Sequence, residues 1–320
     1  MRALALLVGR RLLYGVVTLL AVSFLIFGGT ELLPGDVAEA ILGQGATPEA
    51  VAAIRADLDL DRPAWERYAD WLGGILSGDL GTSLTSKRPI DEMIGARLGN
   101  TLTLAAVAAI VSVPLALLLG LLAALYRNTI FDRVLSVGTV STVSMPEFFV
   151  GYLLILVFAI LLGWLPPNSN AVANPKLGFW DQLVALALPC ATLTVVVVAH
   201  MMRMTRAAVI NILTAPFIEM ATLKGVSRAR RVFRHAFPNA LSPIINVVVL
   251  NLAYLVVGVV VVEVVFVYPG MGQLMVDHVA KRDVPVVQAC AMIFAATYVL
   301  LNMSADILAI LANPRLRHPK

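Results

Sequence analysis

Long apolar stretches alternate with polar connections along the whole chain. Six of them stand out, at about residues 12–30, 101–125, 136–163, 183–202, 244–267 and 286–311. A helix needs roughly 20 mostly apolar residues to cross the hydrocarbon core of a bilayer. The pattern therefore predicts six transmembrane helices. Three of them contain a proline, which we expect to kink the helix rather than break it: Pro114, Pro146 and Pro189.

The first apolar stretch raises the alternative of a cleaved signal peptide, because Arg10 and Arg11 precede it. A signal peptide has a shorter apolar core, of about 7–15 residues, followed by a small-residue cleavage site. No A-x-A-like site follows this stretch. We therefore expect a retained transmembrane helix.

Composition favours lipid as the solvent of this chain. Hydrophobic residues make up 59% of the 320 positions and charged residues only 14%, whereas soluble domains carry about 25% charged residues. The two cysteines, Cys190 and Cys290, both lie inside apolar stretches. They are too few for a disulfide framework or a metal cluster, and we expect no metal site.

The distribution of positive charge predicts the orientation. With the N-terminus in the cytoplasm, 15 of the 24 Lys and Arg residues fall on the cytoplasmic side, as the positive-inside rule requires. Both termini are then cytoplasmic, and the net charge of +4 reflects membrane orientation rather than a nucleic-acid partner. The segment 31–97, with 12 acidic and 6 basic residues, lies outside.

The outer segment 31–97 contains signals for two short helices. Thr47 is a favourable N-cap before Pro48, and a second helix is predicted to start near Pro63. The simplest interpretation of the segment is a small lid packed on the helix ends. The functional alternative is that its acidic surface meets a protein that delivers substrate, or guards the pore mouth.

The cytoplasmic loop 203–243 predicts two further helices. We expect Thr214 to cap a short helix that starts at Pro216 and ends before Gly225. Ser227 is expected to cap a second, basic and amphipathic helix that stops at Pro238. Such a helix would lie along the inner membrane surface with its apolar side down.

The short helix has a composition that suits docking to a cytosolic protein. Phe217 and Met220 could fill a groove on that protein, while Ala221 and Gly225 would permit close approach. A passive connector anchored by positive charge fits the same residues equally well.

This loop resembles the EAA loop of binding-protein-dependent ABC importer permeases. The resemblance rests on Glu219-Met220-Ala221, Gly225 and Phe237-Pro238. Met220 replaces the first alanine of the family pattern and Phe237 replaces a leucine. Neither change disfavours a helix.

The resemblance extends over essentially the whole chain and points to the dipeptide/oligopeptide group of these permeases. It is carried by a series of short elements in order: Leu33-Pro34-Gly35-Asp36, Gly78-Asp79-Leu80-Gly81-x-Ser83, Gly163-Trp164-Leu165-Pro166, His235-Ala236-Phe237-Pro238-Asn239-Ala240, Glu263-Val264-Val265-Phe266, Pro269-Gly270-x-Gly272, Arg282-Asp283-x-Pro285-Val286-Val287-Gln288 and Asn313-Pro314-Arg315.

The resemblance implies an all-α integral membrane protein of the type I ABC importer permease kind, in the bacterial inner membrane. It would comprise a tail and first helix (1–30), the outer segment (31–97), a permease core (98–312) that includes loop 203–243, and a cytoplasmic tail (313–320). Its implied partners are a second homologous permease, two cytosolic ATPases and an extracytoplasmic substrate-binding protein. ATP and Mg²⁺ would be bound by the ATPases, with no cofactor in this chain.

The resemblance also assigns roles and leaves the substrate open. The coupling helix that meets the ATPases would comprise Phe217, Glu219, Met220, Ala221, Lys224 and Gly225. Peptides are the default substrate of the group, and nickel, opine and oligosaccharide permeases are similar.

Two acidic residues inside predicted spans are candidates for the translocation pathway. Ionisable side chains in a bilayer are costly unless they are paired, which makes Glu147 and Glu263 functional hypotheses, with interhelical hydrogen bonding as the alternative.

Catalysis by this chain itself is not expected. The sequence has no G-x-x-x-x-G-K-[ST] phosphate loop and no H-E-x-x-H, and no G-x-S-x-G lies at the end of a span. A secondary transporter driven by an ion gradient is the alternative from another class. It would favour an internal repeat, and none is visible between the two halves of the chain.

Overall fold

The computed structural model of the protein describes residues 2–32, 37–42, 46–57, 59–174 and 176–312. These residues form helices joined by turns, with no β-structure beyond one isolated bridge between Thr82 and Pro89. The α-helices are α1 (Arg2–Glu31), α2 (Val37–Leu42), α3 (Pro48–Asp57), α4 (Ala64–Ser77), α5 (Ile90–Leu125), α6 (Ile130–Val143), α7 (Glu147–Leu154), α8 (Phe179–Leu213), α9 (Pro216–Leu223), α10 (Arg228–Arg230), α11 (Phe237–Val265), α12 (Met271–Ala280) and α13 (Val284–Ala312). Two π-helical stretches, Ile155–Leu161 and Arg231–Ala236, continue α7 and α10.

The six predicted spans correspond to four long helices and two bent pairs of helices within the described residues. The four are Val8–Glu31, Ile90–Leu125, Phe179–Leu213 and Val284–Ser304. The bent pairs are Ile130–Val143 with Glu147–Leu161, at 107°, and Arg228–Leu241 with Pro243–Val256, at 64°. Counting each pair as one span gives the predicted six.

The three prolines behave differently from one another. Pro114 and Pro189 lie inside the continuous helices α5 and α8, as predicted. The expectation was wrong for Pro146, where the chain turns by 107° between α6 and α7. A proline disfavours helical backbone in the residue before it. Here Ser144 and Met145 close α6 through bonds to carbonyls of their own helix, and Pro146 restarts the chain in an extended conformation.

Several helices are longer than their apolar cores. Helix α5 starts at Ile90 rather than near residue 101, and α8 runs to Leu213 rather than ending near 202. Hydropathy detects only the part of a helix that matches hydrocarbon, whereas the backbone bonds continue through flanking polar residues. The first part of the predicted loop 203–243 is therefore a continuation of α8.

The outer segment packs as a lid on the end of α1. Helix α3 starts at Pro48 with the Ala50 amide donating to Thr47 Oγ1 at 3.3 Å, and α4 follows Pro63, so both predicted helices are confirmed. Helix α2 was not predicted. Tyr68 of α4 lies against aromatic rings of α1, and its hydroxyl is 2.9 Å from the Ser23 hydroxyl.

The bundle is built by long helices packed in series: α5 on α8, α8 on α11, α11 on α13 and α13 on α1. Gly120 sets the approach of α5 to α8, because a Cβ at that position would lie 2.8 Å from Thr205 and 2.9 Å from the Met202 carbonyl. One large apolar cluster fills the centre of the bundle. A smaller one, called the second cluster below, consists of Leu121, Ala124, Val209, Ile218, Val232, Ala236, Ala240 and Ile244.

Three predicted features lie outside the described residues. They are the Leu33-Pro34-Gly35-Asp36 element, the Asn313-Pro314-Arg315 element and the tail 313–320.

Candidate coupling surface and buried carboxylate sites

Helix α9 is the short helix predicted in the cytoplasmic loop. It begins at Pro216, whose fixed φ suits the first helical position. The predicted cap was wrong: Thr214 ends α8, where its hydroxyl donates to the Asn211 carbonyl at 2.7 Å, and Ala215 precedes α9 without a side-chain cap. Ile218 holds α9 in place, since it is only 3% exposed within the second cluster.

Three apolar side chains of α9 point away from the bundle. Phe217 is 47% exposed, Met220 is 54% exposed and Leu223 is 76% exposed. We call these three residues the docking surface. Leu223 was missed from the sequence, although it follows Met220 by three residues and so shares its side of the helix.

The remaining predicted coupling residues lie beside this surface. Glu219 and Lys224 are exposed, and Ala221 is half-buried. Gly225 has a φ of +73°, and its amide donates to the Thr222 carbonyl at 2.9 Å. A residue in this left-handed conformation commonly ends a helix, and glycine adopts it without strain. The predicted end of the helix before Gly225 is therefore confirmed.

The segment after α9 differs from the expected surface helix. Ser227 precedes α10 without a side-chain cap, and the helical path does not stop at Pro238 but continues through α11. Its buried side, which includes Val232 and Ala236, packs in the second cluster of the protein itself. The repeat of apolar residues correctly predicted that one side of this segment is buried, but that side packs against the protein itself rather than against lipid. Arg231 also donates to the Thr222 hydroxyl of α9.

Glu263 is fully buried near the C-terminal end of α11. Its carboxylate accepts the Thr101 hydroxyl at 2.6 Å and the amides of Gly272 and Gln273 at 2.7 and 3.1 Å. These amides belong to the first turn of α12, where a negative charge is favourable. The carboxylate therefore fastens α12 to α11 and α5. Its predicted place in the translocation pathway stays a prediction.

Two sequence elements that are about 200 residues apart meet at Asp283. This side chain is fully buried and accepts the Ser83 hydroxyl at 2.6 Å, the Thr85 hydroxyl at 2.7 Å and the amides of Leu84 and Thr85 at 3.1 Å. We call this arrangement the outer latch. Burial acts to raise the pKa of the Asp283 carboxyl, but these hydrogen bonds together hold it below its ordinary value.

The outer latch borders a cleft of about 770 Å³ between the outer segment and the turn from α12 to α13. Polar and aromatic side chains line much of it, including Thr30, Arg67, Trp71, Arg282 and Gln288. Gln288 donates to the Thr30 hydroxyl at 2.6 Å, and Arg67 is paired with Glu31.

An ion pair that sequence reasoning missed joins α6 to α8. Arg206 donates to both carboxylate oxygens of Asp132, at 2.6 and 2.8 Å, and Asp132 is 4% exposed. Such a two-bond pair fixes the relative position of the two helices. Asp132 and Arg206 are 74 residues apart along the chain, and no local pattern in the sequence indicates that they meet.

Glu147 is the first residue of α7, directly after the bend at Pro146. One carboxylate oxygen, Oε1, is buried and has no hydrogen-bond partner among the described residues. The carboxylate lies over Gly258 of α11, close to the ring of Tyr254. The two predicted pathway carboxylates thus differ, because that of Glu263 accepts three hydrogen bonds, whereas Oε1 of Glu147 accepts none among the described residues.

Comparison with known proteins identifies the class to which this arrangement belongs. Residues 116–318 match the family described as binding-protein-dependent transport system inner membrane component, and residues 4–105 match the N-terminal part of such membrane components. The chain belongs to this family. It is the transmembrane permease subunit of an ABC importer, a transport subunit rather than an enzyme, and it resides in the bacterial inner membrane with several spans.

Individual relatives are similar over nearly their full length. The chain is 36% identical over 309 residues to proteins named glutathione transport system permease protein GsiC from Escherichia coli strain K12 and from Salmonella choleraesuis strain SC-B67. The match covers 97% of this chain and 98% of each relative. The predicted permease family is confirmed, and the ion-driven carrier is not favoured. Family membership implies a second permease, ATPases and a binding protein as partners.

Proposed function

We propose that the chain forms half of the translocation pathway of an importer for di- or oligopeptides. The relatives named for glutathione, itself a small peptide, support this substrate class over nickel, opines or oligosaccharides. In the proposed assembly a second homologous permease completes the pathway, and two cytosolic ATPases bind ATP and Mg²⁺. An extracytoplasmic binding protein supplies the peptide.

The proposed orientation places both termini and α9 in the cytoplasm. It rests on the excess of Lys and Arg in the N-terminal tail, the segments after α5 and α8, and the C-terminal tail. The acidic outer segment then faces the binding protein. The outer cleft lies on the same side, between this segment and the turn from α12 to α13.

The observation that carries the proposed coupling role is the contrast between the two sides of α9. Ile218 is buried in the second cluster, whereas Phe217, Met220 and Leu223 are exposed. An apolar helix side fixed to the bundle and open to the cytosol fits a groove on an ATPase. Because Val232 and Ala236 belong to the same cluster, a push on α9 would pass directly to α11.

A single charge on the docking surface tests this role. Met220→Asp should lower the amount of ATPase that co-purifies with the complete importer by about tenfold, since an interface core rejects an unpaired charge. Peptide uptake by proteoliposomes should fall in parallel. Met220 is 54% exposed, so the thermal stability of the permease should not change.

The matched control is Trp65→Asp, which places the same charge on another exposed apolar residue, 71% exposed, in the outer segment. This variant should retain the ATPases. Full ATPase retention by Met220→Asp, or equal loss in both variants, would exclude the docking surface as the ATPase contact. Wild-type complex that imports no peptide would reject the proposed substrate class.

A further inference from the structure

The carboxylate of Glu147 occupies an unusual place in the bundle. Gly258, over which it lies, is seven residues before the end of α11, or about 10 Å along the axis at 1.5 Å per residue. Gly258 also falls within the apolar stretch 244–267, so Glu147 lies beside the predicted span rather than at the end of α11. Charged groups at such depth are costly unless a partner compensates them.

Buried carboxylates elsewhere in the described part of the chain are compensated. Glu263 accepts a hydroxyl and two amides, and Asp132 is paired with Arg206. By contrast, Oε1 of Glu147 has no hydrogen-bond partner in the described ranges. This oxygen can therefore accept a bond from a group that the described residues do not supply.

The surroundings of the Glu147 carboxylate define what it could take. A Cβ at Gly258 would lie 3.3 and 3.4 Å from its two oxygens and 3.5 Å from the Tyr254 ring. The absence of a side chain at Gly258 thus makes room for the carboxylate beside an aromatic ring. The ring of His200, on α8, is centred 6.4 Å from that of Tyr254. Tyr254 is 45% exposed and Glu147 is half-buried, so both side chains are accessible at the surface of the subunit.

We propose that Glu147 and Tyr254, on the bare backbone of Gly258, form a recognition point for an ammonium group of the substrate as it crosses the membrane. This proposal rests on the proposed function, because a free amino group is the cation that a peptide carries. An alkylammonium ion can bond to a carboxylate and lie against an aromatic face at the same time. No cluster of three His, Cys, Asp or Glu residues occurs among the described residues, which disfavours a metal ion.

Uptake by the complete importer in proteoliposomes tests the proposal. The substrates are a peptide with a free amino terminus and its desamino analogue, chosen so that their Kd values for the binding protein differ by less than twofold. Glu147→Gln should lower the uptake of the free-amine peptide at least tenfold and that of the analogue less than twofold. Glu147→Asp, which keeps the charge, should restore part of the difference.

The matched control is Asp91→Asn, at an exposed position in the first turn of α5, which should leave the ratio of the two rates unchanged. An equal loss for both substrates in Glu147→Gln would assign Glu147 a structural role and overturn the proposal. Unchanged uptake of the free-amine peptide would overturn it as well.

A second measurement does not depend on peptide import. Dicyclohexylcarbodiimide labels buried carboxyl groups, and the labelling of Glu147 in the complete complex can be followed by peptide mass spectrometry. Tetramethylammonium should slow this labelling at least threefold, whereas neutral tert-butanol should not. Equal labelling with both additives would overturn the proposal even if the importer carries peptides. Protection by tetramethylammonium would uphold the cation site even if wild-type uptake shows that peptides are not the substrate.

Discussion

Replacing Gly270 with alanine would place a methyl group where the Glu263 carboxylate lies. A Cβ built on Gly270 comes within 2.0 Å of Oε1, 2.1 Å of Cδ and 2.3 Å of Oε2 of that side chain. No pair of non-bonded atoms tolerates such distances. Either the backbone before α12 must shift, or the carboxylate must leave its place.

Both responses are costly. Overpacking with a shift of backbone costs about 1–3 kcal/mol. Displacing the carboxylate breaks its bonds to the Gly272 and Gln273 amides and to Thr101, and each hydrogen bond to a charged group contributes about 1.5–3 kcal/mol. We therefore expect Gly270→Ala to lower the free energy of unfolding by roughly 3 kcal/mol.

The assay is unfolding of the purified subunit in mixed micelles by titration with sodium dodecyl sulfate, followed by far-ultraviolet circular dichroism. Gly99→Ala is the matched control, because no atom lies within 4 Å of a Cβ at this exposed site in α5. Alanine is the better helix former, so this control should gain about 0.5–1 kcal/mol.

A double-mutant cycle isolates the contact between the two residues. In a Glu263→Ala background the obstructing carboxylate is gone, and adding Gly270→Ala should cost little. The coupling free energy should be about 2 kcal/mol. Additive effects, or a Gly270→Ala variant as stable as the wild type, would refute the assignment of Glu263 as the fastener of α12.

Two further predictions concern the outer latch and the coupling helix. Asp283→Asn should lower the free energy of unfolding at pH 7 by about 2 kcal/mol, since it removes the charge that the Ser83 and Thr85 hydroxyls bond. The pKa of Asp283 is lower in the folded protein than in the unfolded chain, so the outer latch contributes its full stabilisation above the unfolded pKa of about 3.9 and loses it as pH falls through the folded pKa. The stabilities of wild type and variant should therefore converge in acid denaturation curves. Parallel curves would contradict this. Gly225→Asp should uncouple ATP hydrolysis from uptake by placing a charge at the end of α9, and coupling equal to wild type in proteoliposomes would count against the role of α9.

Much of the fold follows from local properties of the sequence. Lipid requires about 20 apolar residues per span, so hydropathy alone located the four long spanning helices and, where each bent pair is counted as one span, the other two. The proline and glycine signals around α3, α4 and α9 were also reliable, although the predicted cap Thr214 was not, because proline at the start of a helix and glycine after its end act within one turn. The coupling role of α9 stays a prediction from the resemblance, and the exposure of Phe217 and Met220 agrees with a contact surface.

Tertiary contacts decided the features that local signals do not encode. Pro114 and Pro146 are both prolines within apolar stretches, yet the chain continues through one and bends by 107° at the other. A proline removes one backbone bond and crowds the preceding turn, and the packing around it determines whether the helix resumes in the same direction.

The partners of buried charges also required the folded structure. Asp283 meets Ser83 across 200 residues, and Asp132 meets Arg206 across 74. The sequence determined that ionisable residues lie within or beside the membrane, since that depends on their neighbours along the chain. Which of them is paired, and that Glu147 is left with an unbonded oxygen, depends on helices that meet only after folding.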